Sequence, residues 1–488
     1  MTMLTELFNG ISDFTWGWAL VPFLVVIGGF FTLSSRFIQL QYFKRMFGVL
    51  TKSQPGVAGH VSSRAALLVS VGGRVGGGNI AGVAVAITLG GPGAVFWMWA
   101  IALVGMATSL FECSLAQLYK RTEPDGTYRG GPAQYIIHGL GRNFTWLAVI
   151  YAVCLIAAFA LGFNAFQGNT VAGAMQESFA VERYYTGIGL SVITALVVFG
   201  GIKRIAQVAD VVVPVMAVGY IGLAFLVIIL NIADVPGVLL TILKNAFGFE
   251  EAVAGGVGAA ISQGLRRGLF SNEAGLGSAP NVAAVAYVPH PVTQGVAQSL
   301  SVFIDTMIIC SATAFMILLS DVYQPGADID GVVLTQTALS SHLGSWADDV
   351  LAIAILLFAF SSIVYNYYLG ETGLSVFTEN WAARQTLRVV IIGIVFLGAT
   401  AEGATSVFFF SDPLMGVLAL VNLIAILMLF PIGLRLVRDY HNQLKAGAEE
   451  PKLNPADYED LDIDVTAWTD DQPAVAADPP AGAVEQAR

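Results

Sequence analysis

Residues 65–89 are apolar enough to cross a bilayer, yet they are interrupted by the run GGRVGGGN at 72–79. Glycine disfavours a helix interior and lets another group come close to the backbone. Non-helical backbone at membrane depth persists only where protein buries it or where it lines a polar cavity. A broken spanning helix is therefore a candidate ligand site on physical grounds alone. Small residues also serve close helix packing, but packing glycines recur at helical spacing, whereas Gly76, Gly77 and Gly78 are consecutive.

The membrane setting follows from composition. Of 488 residues, 56% are hydrophobic and 12% charged, about half the charged share of roughly 25% in a soluble domain. Eleven apolar spans can be drawn, at 16–33, 65–89, 94–118, 146–166, 184–200, 208–230, 251–288, 295–319, 350–370, 387–402 and 413–434. The seventh is too long for one plain helix and holds Gly264, Gly268, Gly275, Gly277 and Pro280, so it reads as a second broken span. The expected fold is an all-α polytopic membrane protein with about eleven transmembrane helices. The first span follows Glu6 and Asp13 rather than basic residues, which does not suit a cleavable signal sequence. Cys113, Cys154 and Cys310 all fall in apolar runs and imply no disulfide framework. There is no GxxxxGK[ST], HExxH or CxxC run, and the five histidines are scattered, so nothing points to an enzyme or to nucleic acid as a partner.

Lysine and arginine set the orientation. Alternate loops carry sixteen of them, from Arg36 to Lys445, against Arg183 and Lys244 on the other side. This bias places the N-terminus outside and the C-terminus in the cytoplasm of a multi-pass protein of the bacterial inner membrane. The two broken spans each open a group of five, an odd number that makes the groups inverted copies. The expected division is a peripheral N-terminal helix and linker (1–64), two five-helix repeats (65–230 and 251–434) and an acidic tail (446–488). That tail carries eleven acidic residues against Lys452 and Arg488, −9 of the −11 net charge. Lacking apolar periodicity, it reads as disordered and dispensable.

The first break frees amides suited to a carboxylate and carbonyls suited to a small cation. Asn79 can coordinate an ion or hold a substrate. The second break, around 261–281, gathers Ser262, Gln263, Arg266, Arg267, Phe270, Ser271, Asn272 and Glu273. Its preferred reading is an ion pair between Glu273 and Arg266 or Arg267, acting as a latch. Arg74 is expected to reach cytosolic water or an acidic partner. Asn164 and Gln167 share one face of the fourth span, with Phe163 and Phe166 beside them, and fit either an amino-acid headgroup or an interhelical hydrogen bond. Ser361 and Ser362, midway along the ninth span, suit oxygen coordination of a hard cation. No carboxylate is evident at the pocket, which favours sodium over protons.

GGRVGGGNIAGVA (72–84), GGPGAVFWMW (90–99), GMATSLFECSLAQLY (105–119) and RGLFSNEAGLGSAP (267–280) resemble motifs of the bacterial sodium:alanine/glycine symporter family. The resemblance runs over roughly residues 10 to 440. It implies a leucine-transporter-like fold, with five-plus-five inverted repeats and two discontinuous helices, and a secondary active transporter that couples Na+ to a small neutral amino acid. By the same resemblance the substrate carboxylate meets the amides of Gly77 and Gly78, beside Asn79. The carbonyls of Gly72 and Val75 form a sodium site with Ser361 and Ser362, and Asn164, Gln167, Ser262 and Phe270 complete the substrate site. Many family members have Thr at the position of Gly77 and a GW pair where this chain reads Tyr365–Asn366. The expectation is a monomer in the lipid bilayer that imports alanine or glycine; alternatives are a proton-coupled transporter of the same fold, a channel or a sensor.

Overall fold

The computed structural model describes residues 10–11, 13–51, 60–249, 256–324, 331–401 and 411–468, most of them helical. Phe14–Ser34 (α1) leads to a short amphipathic helix, Phe43–Thr51 (α2). Ser63–Arg74 (α3) and Gly78–Gly90 (α4) form a pair bent by 55° at the glycine run. Then come Gly93–Leu118 (α5), Arg142–Phe179 (α6), Arg183–Val198 (α7), Gly201–Leu230 (α8) and Val235–Ala246 (α9). A second interrupted pair, Gly256–Asn272 (α10) and Ser278–Ala283 (α11), precedes Pro291–Leu318 (α12) and Gly331–Leu343 (α13). Trp346–Ser375 (α14), Trp381–Thr400 (α15), Ser411–Met428 (α16) and Phe430–Lys445 (α17) complete the chain order.

Among the described residues, α1, α5, α6, α8, α12, α14, α15 and α16 are long and apolar enough to cross a membrane, and the bent α3–α4 pair makes a ninth such element. Helix α7, at 16 residues, and the interrupted α10–α11 pair occupy two further expected spans, residues 251–255 of the latter lying outside the described residues. The last expected span, drawn to 434, stops at Met428, because Pro431 in the first turn of α17 starts a new, amphipathic helix. The first helix is less peripheral than expected. Trp16 is buried, donates from Nε1 to the Asp412 carbonyl (2.9 Å) and lies 6.3 Å from the Phe270 ring.

The interior is organised around the broken pairs. Helix α5 packs along α10 and α12, and α6 along α14 and α15. Two short strand pairs tie down the end of the molecule that carries the basic loops. Val61–Ser62 (β1), entering α3, pairs in parallel with Ala286–Tyr287 (β4), leaving α11. Arg121–Thr122 (β2) pairs antiparallel with Tyr128–Arg129 (β3).

The C-terminal segment corrects the expectation of a disordered tail from residue 446. Its described part, to Trp468, lies folded over that basic end, with Tyr458, Ala467 and Trp468 buried. Asp460 pairs with Arg435 (2.8 Å), Asp462 with Arg121 (2.8 Å) and His138 (2.6 Å), and Asp464 accepts from the Thr122 amide (2.8 Å). The physical reason is charge complementarity. The loops that make one face basic offer partners to an acidic segment that composition alone marks as solvated. Residues 469–488 lie outside the described part.

Candidate functional site: two interrupted helices around a polar core

The first interruption begins where α3 ends at Arg74 and Val75 turns extended. Gly77 and Gly78 then start the next helical segment, so their amides belong to a helix N-terminus, where N–H groups lack intrahelical acceptors. The Gly76 amide donates to Asn79 Oδ1 (2.9 Å). Asn79 Nδ2 in turn reaches Ser271 Oγ (2.9 Å) and Asp305 Oδ1 (2.6 Å). The Asp305 carboxylate also accepts from Ser271 Oγ and Thr306 Oγ1, each at 2.8 Å. Asn79, Ser271, Asp305 and Thr306 are all buried. Ser271, Asp305 and Thr306 bring their oxygens together there, with the Asn79 amide N–H capping the carboxylate.

On the other side of the break, Ser361 Oγ donates to the Gly72 carbonyl (2.7 Å). Ser362 Oγ lies 3.3 Å from the Gly72 carbonyl and 3.2 Å from that of Gly73. Gly72, Ser361 and Ser362 are thus brought together, and the Gly73 carbonyl joins them. Val75 lies in the same turn but enters this cluster only through its neighbours. Gly73 can be nothing larger, because the Tyr365 ring fills the space its Cβ would take.

Gln167 lies over the glycines, and Asn164 sits one helical turn before it in α6. A Cβ on Gly76 would stand 3.2 Å from Gln167 Nε2. The buried oxygens Gln167 Oε1 and Asn164 Oδ1 have no hydrogen-bond partner, and Asn164 Nδ2 only bonds back to Ala160 of its own helix (3.0 Å). Neither side chain is therefore explained by an interhelical hydrogen bond, and a buried acceptor left open costs free energy until something donates to it. The walls are aromatic. Phe166 and Phe270 stand 3.4 and 3.5 Å from where a Cβ on Gly77 and Gly78 would lie, and Phe163 stacks on Phe270 at 5.5 Å.

Ser262 is not part of this site. Helix α10 runs unbroken to Asn272, so Ser262 sits ten residues earlier, roughly 15 Å along the axis, and is exposed. Ser271 occupies the place assigned to it. The Glu273 latch is also corrected. Arg266 pairs with Asp412 (3.2 Å), while Glu273 accepts from Ser278 Oγ (2.5 Å) and Tyr365 OH (3.2 Å). The break at 273–277 turns the Glu273 side chain inward, away from the arginine face of α10; its own φ is +53°. Arg74 does not reach water. It is buried and donates to Ser301 (2.5 Å) and Ser109 (3.4 Å), within electrostatic reach of Glu112, Glu273 and Asp305.

Sequence reasoning missed Asp305 and Glu112, and with Asp305 the expectation of a site without a carboxylate falls. Both were findable: an acid in the middle of an apolar span is a functional candidate by default. Glu112 serves the second interruption, accepting from the Gly275 amide (3.2 Å) and from Asn422 Nδ2 (2.9 Å).

Discontinuous membrane helices meeting at a polar, partly unsatisfied centre define a membrane transporter rather than an enzyme. Comparison with known proteins bears this out and is specific. Residues 1–455 match the model of the sodium:alanine symporter family, and the chain belongs to that family. It is 47% identical over 448 residues, 92% of this chain and 94% of the relative, to the amino-acid carrier protein AlsT of Bacillus subtilis. It is 43% identical to the probable sodium/glutamine symporter GlnT of the same organism, covering 94% of this chain and 95% of that one. A sodium/proton-dependent alanine carrier of Bacillus sp. PS3 is 35% identical, over 85% and 95% of the two chains. Among solved structures, MhsT in complex with L-phenylalanine superposes with a TM-score of 0.51 at 16% identity, covering 77% of this chain and 97% of that one, a likeness of fold. The protein is an amino-acid symporter of the leucine-transporter fold.

Proposed function

We propose that this symporter imports a small neutral amino acid, alanine or glycine, with Na+, by alternating access between two inverted five-helix repeats. The observation that carries the reading is the first interruption itself. Bare amides at Gly77 and Gly78 and the open Gln167 acceptor lie on one side of it, with the open Asn164 oxygen one helical turn away on the same helix. Two serine hydroxyls rest on the Gly72 and Gly73 carbonyls on the other. A zwitterion matches the first set, carboxylate to amides and ammonium to side-chain oxygens; Na+ matches the second. Aromatic contact at 3.4–3.5 Å from the glycine positions leaves little room for a long side chain. On this reading, the basic face is cytoplasmic, and Na+ pins α3 to α14 until it leaves into the low-sodium cytosol. The membrane potential adds about 2.3 kcal/mol per charge per 100 mV, enough to concentrate a neutral amino acid tens of fold.

Asp305 favours a second reading, in which a proton travels with or instead of Na+. Labelled-alanine uptake into proteoliposomes under independently imposed Na+ and pH gradients separates the two. The expected result is uptake driven by Na+ alone and kept in Asp305→Asn. Uptake driven by a pH gradient without Na+, and lost in Asp305→Asn, establishes proton coupling instead. Glycine and alanine compete in the same assay and leucine does not; strong competition by leucine refutes the small pocket.

A further inference from the structure

The basic end of the molecule holds a contact that transport of a small zwitterion does not call for. Lys120, two residues past α5, is completely buried. Its ammonium lies 4.1 Å from the centroid of the Tyr128 ring and 4.3 Å from that of Trp468, between the hairpin and the C-terminal segment, and donates to the Ala286 carbonyl of β4 (3.2 Å). Tyr128 is in turn stacked by His60 (5.1 Å), which immediately precedes β1. Trp468, Lys120, Tyr128 and His60 therefore form one continuous stack, from the C-terminal segment to the start of α3. The same segment is fastened at both flanks. The Leu453 amide donates to the Pro289 carbonyl (2.9 Å), just after β4, and Asp460 and Asp462 hold Arg435, Arg121 and His138.

What lies under this stack is the β1–β4 pair, the place where the entry to α3 and the exit from α11 are joined. Opening a path from the central site to this face requires those two ends to part. A buried cation held between two rings is stabilised by their faces; burial lowers the Lys120 ammonium to about 7 even with the Asp464 carboxylate opposing the shift. The segment carrying Trp468 and Asp464 thus supplies a ring and a carboxylate that hold Lys120 in place.

We propose that residues 453–468 are an intracellular clasp, with Trp468 as its pin, that holds the ends of the two interrupted helices together and must release for the transporter to open to the cytoplasm. The proposal rests on the alternating-access reading above, but its test does not depend on which solutes move. In full-length protein, Val61→Cys places a thiol in β1, where Val61 is buried against β4, and the three native cysteines are all buried. Labelling by a bulky polar maleimide is followed in detergent without Na+ or amino acid. Trp468→Ala is expected to raise the Val61→Cys labelling rate by about five-fold or more, the population shift that loss of such a contact allows. Trp468→Phe keeps a ring and stays within about two-fold of the parent. Asp460→Ala with Asp462→Ala loosens the clasp without touching the stack and raises labelling in the same direction. Unchanged labelling in both Trp468→Ala and the double variant, at unchanged melting temperature, overturns the clasp. Failure of the wild type to take up amino acids, with labelling still responsive, overturns the transport reading and leaves the clasp standing.

Discussion

The two helix interruptions are built in opposite ways. At the second, side chains of the protein satisfy the freed backbone. The Gly275 amide and carbonyl bond Glu112 and Asn422, and the Gly277 carbonyl accepts from Tyr151 OH (2.8 Å) and Asn281 Nδ2 (2.9 Å). Asn272 Oδ1 takes the Ala274 amide (3.0 Å). At the first, Asn79 and the two serines satisfy the Gly76 amide and the Gly72 and Gly73 carbonyls, but Gly77 and Gly78 face aromatic rings and the Gln167 oxygen, which bonds nothing. A buried peptide group must find a partner somewhere. Where the protein provides every partner, the break is closed architecture; where acceptors and amides are left open, the proposed partner is a solute. On that reading the first break, bent by 55°, is the one that binds.

This contrast can be broken by experiment. The largest expected effect is at Gly78. Valine there pushes methyl groups into Phe270 and over the amides, so alanine affinity measured by calorimetry falls by about 100-fold or more, ~2.7 kcal/mol, while the protein still runs as one species in detergent. Near-native binding by that variant removes the carboxylate from the first break. Asn422→Ala should behave in the converse way. It strips partners from Glu112, the Gly275 carbonyl and Tyr135, costing roughly 3 kcal/mol of stability, seen as a lower melting temperature, with alanine affinity in the surviving fold little changed. A large loss of affinity without a loss of stability would place ligand at the second break as well.

The Ser361→Ala/Ser362→Ala double variant sharpens the picture within the first break. Half-activation by Na+ should rise about ten-fold, ~1.4 kcal/mol, while substrate affinity at saturating Na+ holds. Equal losses in both would merge the two sub-sites into one. The smallest effect expected is from removing residues 469–488, which carry charge without apolar pattern; uptake per folded molecule should stay within about two-fold.

The first break was legible because glycine in a hydrophobic span is a local violation of helix propensity, visible without any partner. The serine pair on α14 was legible too, since two adjacent hydroxyls in an apolar run need a use. Asp305 and Glu112 were passed over because each stands alone in its span, and their meaning comes from residues more than 160 positions away in Glu112's case, at Gly275 and Asn422. The Glu273 assignment failed for a related reason. Proximity in sequence favoured Arg266 and Arg267, but α10 presents those on one face and the following turn carries Glu273 to another. The C-terminal segment misled because its acids were weighed by composition, whereas Arg435, Arg121 and His138, which they meet, lie in three separate loops or helices.

Tyr365 belongs to both interruptions at once. Its ring occupies the space beside Gly73, its hydroxyl donates to Glu273, and it follows the serine pair by less than one further helical turn. A shift of the first break therefore meets the ring, and a shift of the second meets the hydroxyl. In thermodynamic language this is a shared coordinate, and coupling through it is reciprocal: whatever factor an ion adds to amino-acid affinity, the amino acid must return to the ion. If the proposed Na+ coupling runs through this side chain, Tyr365→Phe, which keeps the ring and drops the hydroxyl, should lower the Na+ dependence of alanine affinity, measured by calorimetry with and without Na+.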